Sequence, residues 1–137
     1  MSSVLIYQQL PRGVRNNNPL NIRKGQRWNG SVPGLDKTYE TFISPLYGFR
    51  AAARIIKGAY RQRGIHTLQQ VITEWAPASD HNPTQQYIEF VADKVQISPA
   101  DDVDDAHLPA VLNAMSAFEQ GGDYYGVLMA KAGVNLA

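Results

Sequence analysis

The spacing of apolar residues changes character once along this chain, at Ser44 and Pro45, and that change limits the folds open to it. Before it, residues 1–43 hold no sustained helical period. Gly13, Gly25, Gly30 and Gly34, with Pro11, Pro19 and Pro33, punctuate loops and short extended pieces there. After it, apolar side chains recur every three or four residues, the mark of helices that bury one face. Ser44 before Pro45 is an N-cap and first-turn pair. Leu46, Phe49, Ala53, Ile56 and Tyr60 then form one face of a helix that Gly64 ends. Residues 67–70 (TLQQ) are a capping box. They open a second helix that buries Leu68, Val71, Ile72 and Trp75 and must stop before Pro77. A third helix opens at Asn82 and Pro83, with Tyr87, Phe90, Val91 and Val95 inward. A fourth runs from near His107 to Gln120 along Leu108, Val111, Leu112, Met115 and Phe118, and a short last one covers 124–132 and closes at Gly133. Residues 38–43 (TYETFI) alternate like a β-strand, with Tyr39 and Thr41 on one face and Glu40 and Phe42 on the other. The expected fold is mainly α, an α+β arrangement of helices around a small irregular or β-containing N-terminal lobe.

The chain has 137 residues, no repeat and no low-complexity linker, which fits a single domain over 1–137, with 1–11 as a less ordered N-terminal segment. It has no cysteine, which excludes a disulfide framework, a thiolate zinc site and a cysteine nucleophile. His66, His81 and His107 lack metal-ligand spacing, so no metal site is expected. No phosphate-cradling glycine motif and no serine elbow is present, and no cofactor is expected. No apolar run approaches the roughly 18 residues of a membrane span. The start, MSSVLIY, lacks the basic segment of a secretory signal. A chain of this kind is expected in a host cytoplasm or a virion, and another agent would have to bring it to a cell wall.

The net charge of +1 hides an asymmetry. Residues 1–63 carry 11 Lys or Arg against two acids, Asp36 and Glu40, whereas residues 64–137 carry two basic residues and ten acids. Such a field can steer a polyanion onto the basic half, or simply draw the two halves together in the fold. Arg12, Arg15, Arg23, Lys24 and Arg27 would be the contacts of a nucleic-acid binder, but the helices carry no recognition motif, so no specific nucleic acid is expected.

Glu119 is the most informative candidate for chemistry. It borders the apolar stripe of its helix and lies in the last turn, where the helix dipole disfavours negative charge. Burial there would raise its pKa, giving a carboxyl able to protonate a departing glycosidic oxygen. An ordinary helix-end glutamate is the alternative. A second carboxylate, common in glycosidases, would be Glu40 or Asp36. Residues 15–23 (RNNNPLNIR) hold four asparagines in six positions. Their amides suit hydroxyl and acetamido groups, and equally suit a purely structural turn. Trp28 and Trp75 can stack on sugar rings or fill the core.

These residues together resemble a known group. RGVRNNNPLNIR at 12–23 with WNG at 28–30 resembles the opening "RGIRNNNPGNIR…W.G" of a phage family whose members are described variously as virion structural protein, endolysin or lytic enzyme. The similarity continues through YETFISPLYGFRA at 39–51, Val71, Ile72 and WAP at 75–77, NPT at 82–84, and Tyr87, Ile88 and Val91. It covers roughly 12–122, with departures at Leu20, where the family usually has glycine, and Phe118, where histidine is frequent. The order of parts is also similar to lysozyme-like peptidoglycan hydrolases, with the glutamate-bearing helix moved to the end. The resemblance implies a circularly permuted lysozyme-like fold that cleaves the peptidoglycan glycan strand between N-acetylmuramic acid and N-acetylglucosamine, as a lytic transglycosylase or muramidase. It implies Glu119 as general acid, with Glu40 in support. Asn18, Asn21, Arg23, Trp28, Tyr39 and Tyr87 would bind substrate, and other virion or delivery proteins would be partners. A non-catalytic virion structural or wall-binding protein is the alternative.

Overall fold

A computed structural model describes residues 9–137. Most of the 1–11 segment set apart in the sequence therefore lies outside the described residues. The first helix with both ends among them is a single turn, α1 (Arg12–Arg15). Helix α2 (Pro45–Ile55) begins as Ser44 predicts, with the Ser44 hydroxyl accepting the Leu46 N–H at 3.2 Å. It runs on through one π-helical turn, Ile56–Tyr60, and the chain leaves it at Gly64 with φ 76°. Helix α3 (Leu68–Trp75) carries the full capping box, Thr67 and Gln70 each satisfying the other's backbone N–H. A short 3-10 turn, Ala78–Asp80, leads to α4 (Thr84–Val95), and α5 (Leu108–Gln120) ends on Gly121 at φ 75°. Helix α6 (Val127–Leu136) follows.

Helix α2 packs along α6, while α4 and α6 flank α5 and α3 rests on α4. Phe49, Ile56, Leu68, Ile72, Val91, Leu108, Leu112 and Met115 are fully buried where these helices meet. Burying side chains of this size contributes about 1.5–3 kcal/mol each. The opposite charges of the two halves partly meet across this frame, as Arg61 pairs with Asp105 and Arg63 with Glu74, both at 2.8 Å.

Two expectations are corrected. Residues 38–43 do not form a regular strand; the lobe is joined by isolated antiparallel bridges, Arg23 to Tyr39 and Ser31 to Phe42. The opposing segment cannot offer a straight ladder, because Asn21, Gly25 and Gly30 all have positive φ. The alternation itself persists, with Phe42 and Glu40 buried and Tyr39 and Thr41 half-buried. The last helix starts and ends later than expected, and Gly133 lies inside it. Gly133 is there for close approach to α2: a Cβ would sit 2.6 Å from the Phe49 Cβ and 2.8 Å from the Leu46 carbonyl oxygen.

Gly133→Ala is therefore expected to lower stability by about 1–3 kcal/mol through overpacking. Gly58→Ala, where a Cβ meets nothing within 4 Å, should be neutral or stabilising by about 0.5–1 kcal/mol. Denaturant unfolding followed by circular dichroism checks the pair, and equal effects would contradict the close-approach account.

Candidate active site

The asparagine loop is built from inside. Asn18 is 0 % exposed. Its amide nitrogen donates to the carbonyls of Ile22 and Glu40, each at 2.9 Å, and its Oδ1 accepts the Ile22 N–H at 2.9 Å. Asn16 and Asn17 reach the following segment, donating to Asp36 and to the Phe42 carbonyl. The loop is thereby fixed to residues 36–42 without a sheet. Asn18 was expected to contact sugar; it is instead wholly spent inside the protein, leaving nothing for a ligand.

The same loop is pinned to the end of α5 by Gln120. The buried Gln120 amide donates to the Pro19 carbonyl at 2.9 Å and to Asn21 Oδ1 at 3.3 Å. Gly13 permits this: a Cβ on it would overlap the Gln120 amide and sit 2.5 Å from Asn21 Oδ1. Asn21, held in the left-handed region at φ 53°, turns its own amide onto Glu119.

Glu119 receives three donors from three parts of the chain. Asn21 Nδ2 lies 3.0 Å from Oε1, while the Trp75 indole N–H and the Tyr87 hydroxyl each lie 2.9 Å from Oε2. Burial among apolar neighbours nevertheless dominates and pushes the Glu119 pKa up to about 7, against the three hydrogen bonds, which pull it down. The Tyr87 hydroxyl also lies 3.4 Å from the Met115 carbonyl. It can donate to the ionised carboxylate, or turn to Met115 and accept from the protonated one. Phe118 stacks on the Tyr87 ring at 4.3 Å between centroids and holds it in place.

Glu119 opens into a cleft of about 440 Å³, lined among others by Asn21, Arg23, Tyr39, Trp75, Asp80, Asn82, Tyr87 and Phe118. Of the residues expected at the site, Asn21, Arg23, Tyr39 and Tyr87 thus converge with Glu119. Trp28 lies instead in an adjoining groove of about 420 Å³ that shares Asn21, Arg23 and Trp75 with the cleft. Both volumes fall in the range of ligand pockets, about 300–1,000 Å³. A larger but shallow surface hollow between α4 and the end of α5 contains no part of this constellation except Phe118.

The carboxylates proposed to assist lie elsewhere. Asp36 takes a two-pronged ion pair from Arg12, at 2.5 and 2.8 Å, and accepts the Thr38 and Tyr39 backbone N–H groups. The Arg12 pair holds its carboxyl far below the usual carboxylate range. So engaged, outside the cleft lining, Asp36 is a structural clamp and no water-activating base. Glu40 is buried, and it too is absent from the residues lining the cleft. Asp80, on the 3-10 turn before the left-handed His81, is the other acid among the lining residues. Neither Asp80 nor Gln120 carries a periodic or motif signal. The TLQQ and WAP punctuation that places the turn after α3 is the nearest sequence clue to Asp80.

Set beside known sequences, the chain is 40 % identical to Protein P5 of Pseudoalteromonas phage PM2, over 83 % of this chain and 74 % of that protein. The chain belongs to the Protein P5 family. No protein-family profile matches it. Membership in the Protein P5 family makes the chain a relative of a phage protein, in line with the phage group that its asparagine motif resembles.

A carboxyl whose pKa rises on folding makes a signed contribution to stability. Its preference for the proton helps the fold below its ordinary value of 4.5, and that help is lost as pH rises through about 7. The span corresponds to roughly 3 kcal/mol. Glu119→Gln, which does not titrate, should therefore gain stability relative to wild type between these pH values and level off above them. Urea unfolding across pH 4 to 8 measures the difference, and a flat one would contradict a buried, proton-preferring Glu119.

Proposed function

We propose that the protein cleaves the glycan strand of bacterial peptidoglycan between N-acetylmuramic acid and N-acetylglucosamine, with Glu119 as general acid. The observation that carries this reading is a single carboxyl with a pKa raised to about 7, fixed by three donors and facing a polar cleft. A general acid works best when its pKa lies near the working pH. The polar lining, with amide groups at Asn21 and Asn82 and an aromatic face at Tyr39, suits the hydroxyl and acetamido groups of amino sugars. The order of parts supports a permuted lysozyme-like fold: asparagine loop, extended segment, tyrosine-bearing helix, then a helix ending in the glutamate.

In the reaction, Glu119 gives its proton to the glycosidic oxygen as the bond from the muramic C1 breaks. The oxocarbenium-like centre is stabilised by the sugar's own acetamido group or by the Asp80 carboxylate. Glu119, now ionised and again accepting from Tyr87, takes a proton from the attacking hydroxyl. If that hydroxyl is water the enzyme is a muramidase; if it is the muramic 6-hydroxyl, a lytic transglycosylase. Arg23 and Tyr39 form one wall, the guanidinium carbon 5.8 Å from the ring centroid.

A buried carboxylate with three donors also suits a purely structural anchor, and a non-catalytic virion or wall-binding protein is the second reading. Clearing of purified peptidoglycan separates the two. Wild type should be active and Glu119→Gln lower by at least about 100-fold, the low end of general acid–base contributions. Inactivity of wild type from pH 4 to 9 would reject the enzyme. Activity should fall as pH rises through about 7, because the acid must carry its proton. Tyr87→Phe removes a donor that favours the ionised form, so its descending limb should move to higher pH. Mass spectrometry of the products distinguishes hydrolysis from anhydro-sugar formation.

A further inference from the structure

The groove that adjoins the cleft differs from it in charge. Both acids of the paired depressions, Asp80 and Glu119, line the cleft. The adjoining arm has no acid among its lining residues and takes Arg23 and Lys24 along one edge, with Gln26 beside them. Arg27 lies on the same exposed loop. Among the described residues no carboxylate pairs with Arg23, Lys24 or Arg27. The arm is also built to receive an extended chain. The partly exposed Trp28 and Trp75 lie in its lining, and Tyr60 is brought there by the π-helical turn and packs edge-on to Trp75 at 6.2 Å. Gly25, at φ 142° with open space around its Cβ position, keeps the rim low.

With its lactyl groups held in amide bonds to the stems, the N-acetylated glycan itself is uncharged and has no need of basic side chains beside its path. The peptide stems on the muramic lactyl groups do carry free carboxylates, one or more per disaccharide. From the charge contrast between two arms that share Asn21, Arg23 and Trp75, we infer that the arm lined by Arg23, Lys24, Trp28 and Tyr60 binds the carboxylate-bearing peptide stem of a strand seated in the cleft. This rests on the proposed reading of the cleft and deepens it: the substrate is stem-bearing peptidoglycan and not bare amino-sugar polymer. The aromatic floor takes the apolar parts of the stem, and the basic rim takes its carboxylates, each such exposed pair adding little and the set adding selectivity.

Binding can be read apart from turnover by using Glu119→Gln protein on soluble glycan strands in three forms. These are native with stems, native with stem carboxylates blocked as methylamides, and stripped of stems by an amidase with the lactyl carboxylates so freed blocked as methylamides. Native strands should bind about fivefold to tenfold more tightly than either other form at low salt, and the gap should narrow as salt rises. Lys24→Glu with Arg27→Glu should bring the ratios close to one, and Lys24→Gln, a milder surface change, should bring them part of the way. Equal affinity for all three forms, or a loss in the charge-reversed protein that leaves the ratios intact, would overturn the stem site. Wild type that binds native strands selectively but cleaves none would sink the catalytic reading and leave the stem site standing.

Discussion

One buried amide holds together the N-terminal lobe, which has a single helical turn and isolated bridges in place of longer helices or a sheet. Asn18 satisfies the backbone of Ile22 twice and Glu40 once, from a position without solvent access. Buried backbone groups left unpaired cost about 1–3 kcal/mol each, so a lobe with only isolated bridges needs side chains to supply the missing partners. Asn16, Asn17 and Gln120 continue the same work at neighbouring positions. The asparagine density of the loop is a folding requirement first, and only Asn21 turns outward from that scaffold to the cleft.

The site depends on this scaffold through opposition. Low solvation and the end of a helix dipole both disfavour charge on Glu119, while Asn21, Trp75 and Tyr87 favour it. The balance leaves a proton that is held near neutrality and can leave. Each donor comes from a different segment: the loop, the end of α3 and the first turn of α4. The carboxyl therefore keeps its orientation only while those segments keep their relative places.

Much of the helical frame was legible from spacing and caps. The Ser44 and Pro45 start, the Thr67 capping box and the Gly64 and Gly121 stops all depend on local chemistry, which sequence records directly. Glu119 was legible only in part: its place in the last turn beside the apolar stripe pointed to a disfavoured charge but equally allowed an ordinary helix-end glutamate, and the family resemblance singled it out. What escaped depends on contacts distant in the chain. Asn18 and Asn21 are the same residue type three positions apart, and only the packing of Gln120 and Ile22 decides that one is buried and the other faces the cleft. Gly133 read as a stop because a glycine near a helix end usually is one; its actual cause is the close approach of the Phe49 Cβ and the Leu46 carbonyl on another helix. Asp36 read as a spare acid because Arg12, 24 residues earlier, carries no local sign of pairing with it.

The hydrogen bond from Asn21 to Glu119 spans 98 residues, and that from Gln120 to the Pro19 carbonyl spans 101. Helix α2 meets α6 over a separation nearly as long, as the Arg50 guanidinium donates to the Leu136 carbonyl 86 residues on, so the bonds to the loop are one of two such closures among the described residues. Closing a long loop costs little more entropy than closing a medium one, yet such contacts form slowly because nothing local brings them together. The acid is thus assembled by the meeting of the asparagine loop with the end of α5. Asn21 is one of the three donors that favour the ionised form of Glu119, so the balance that holds the proton near neutrality is set by the assembled site and not by α5 alone.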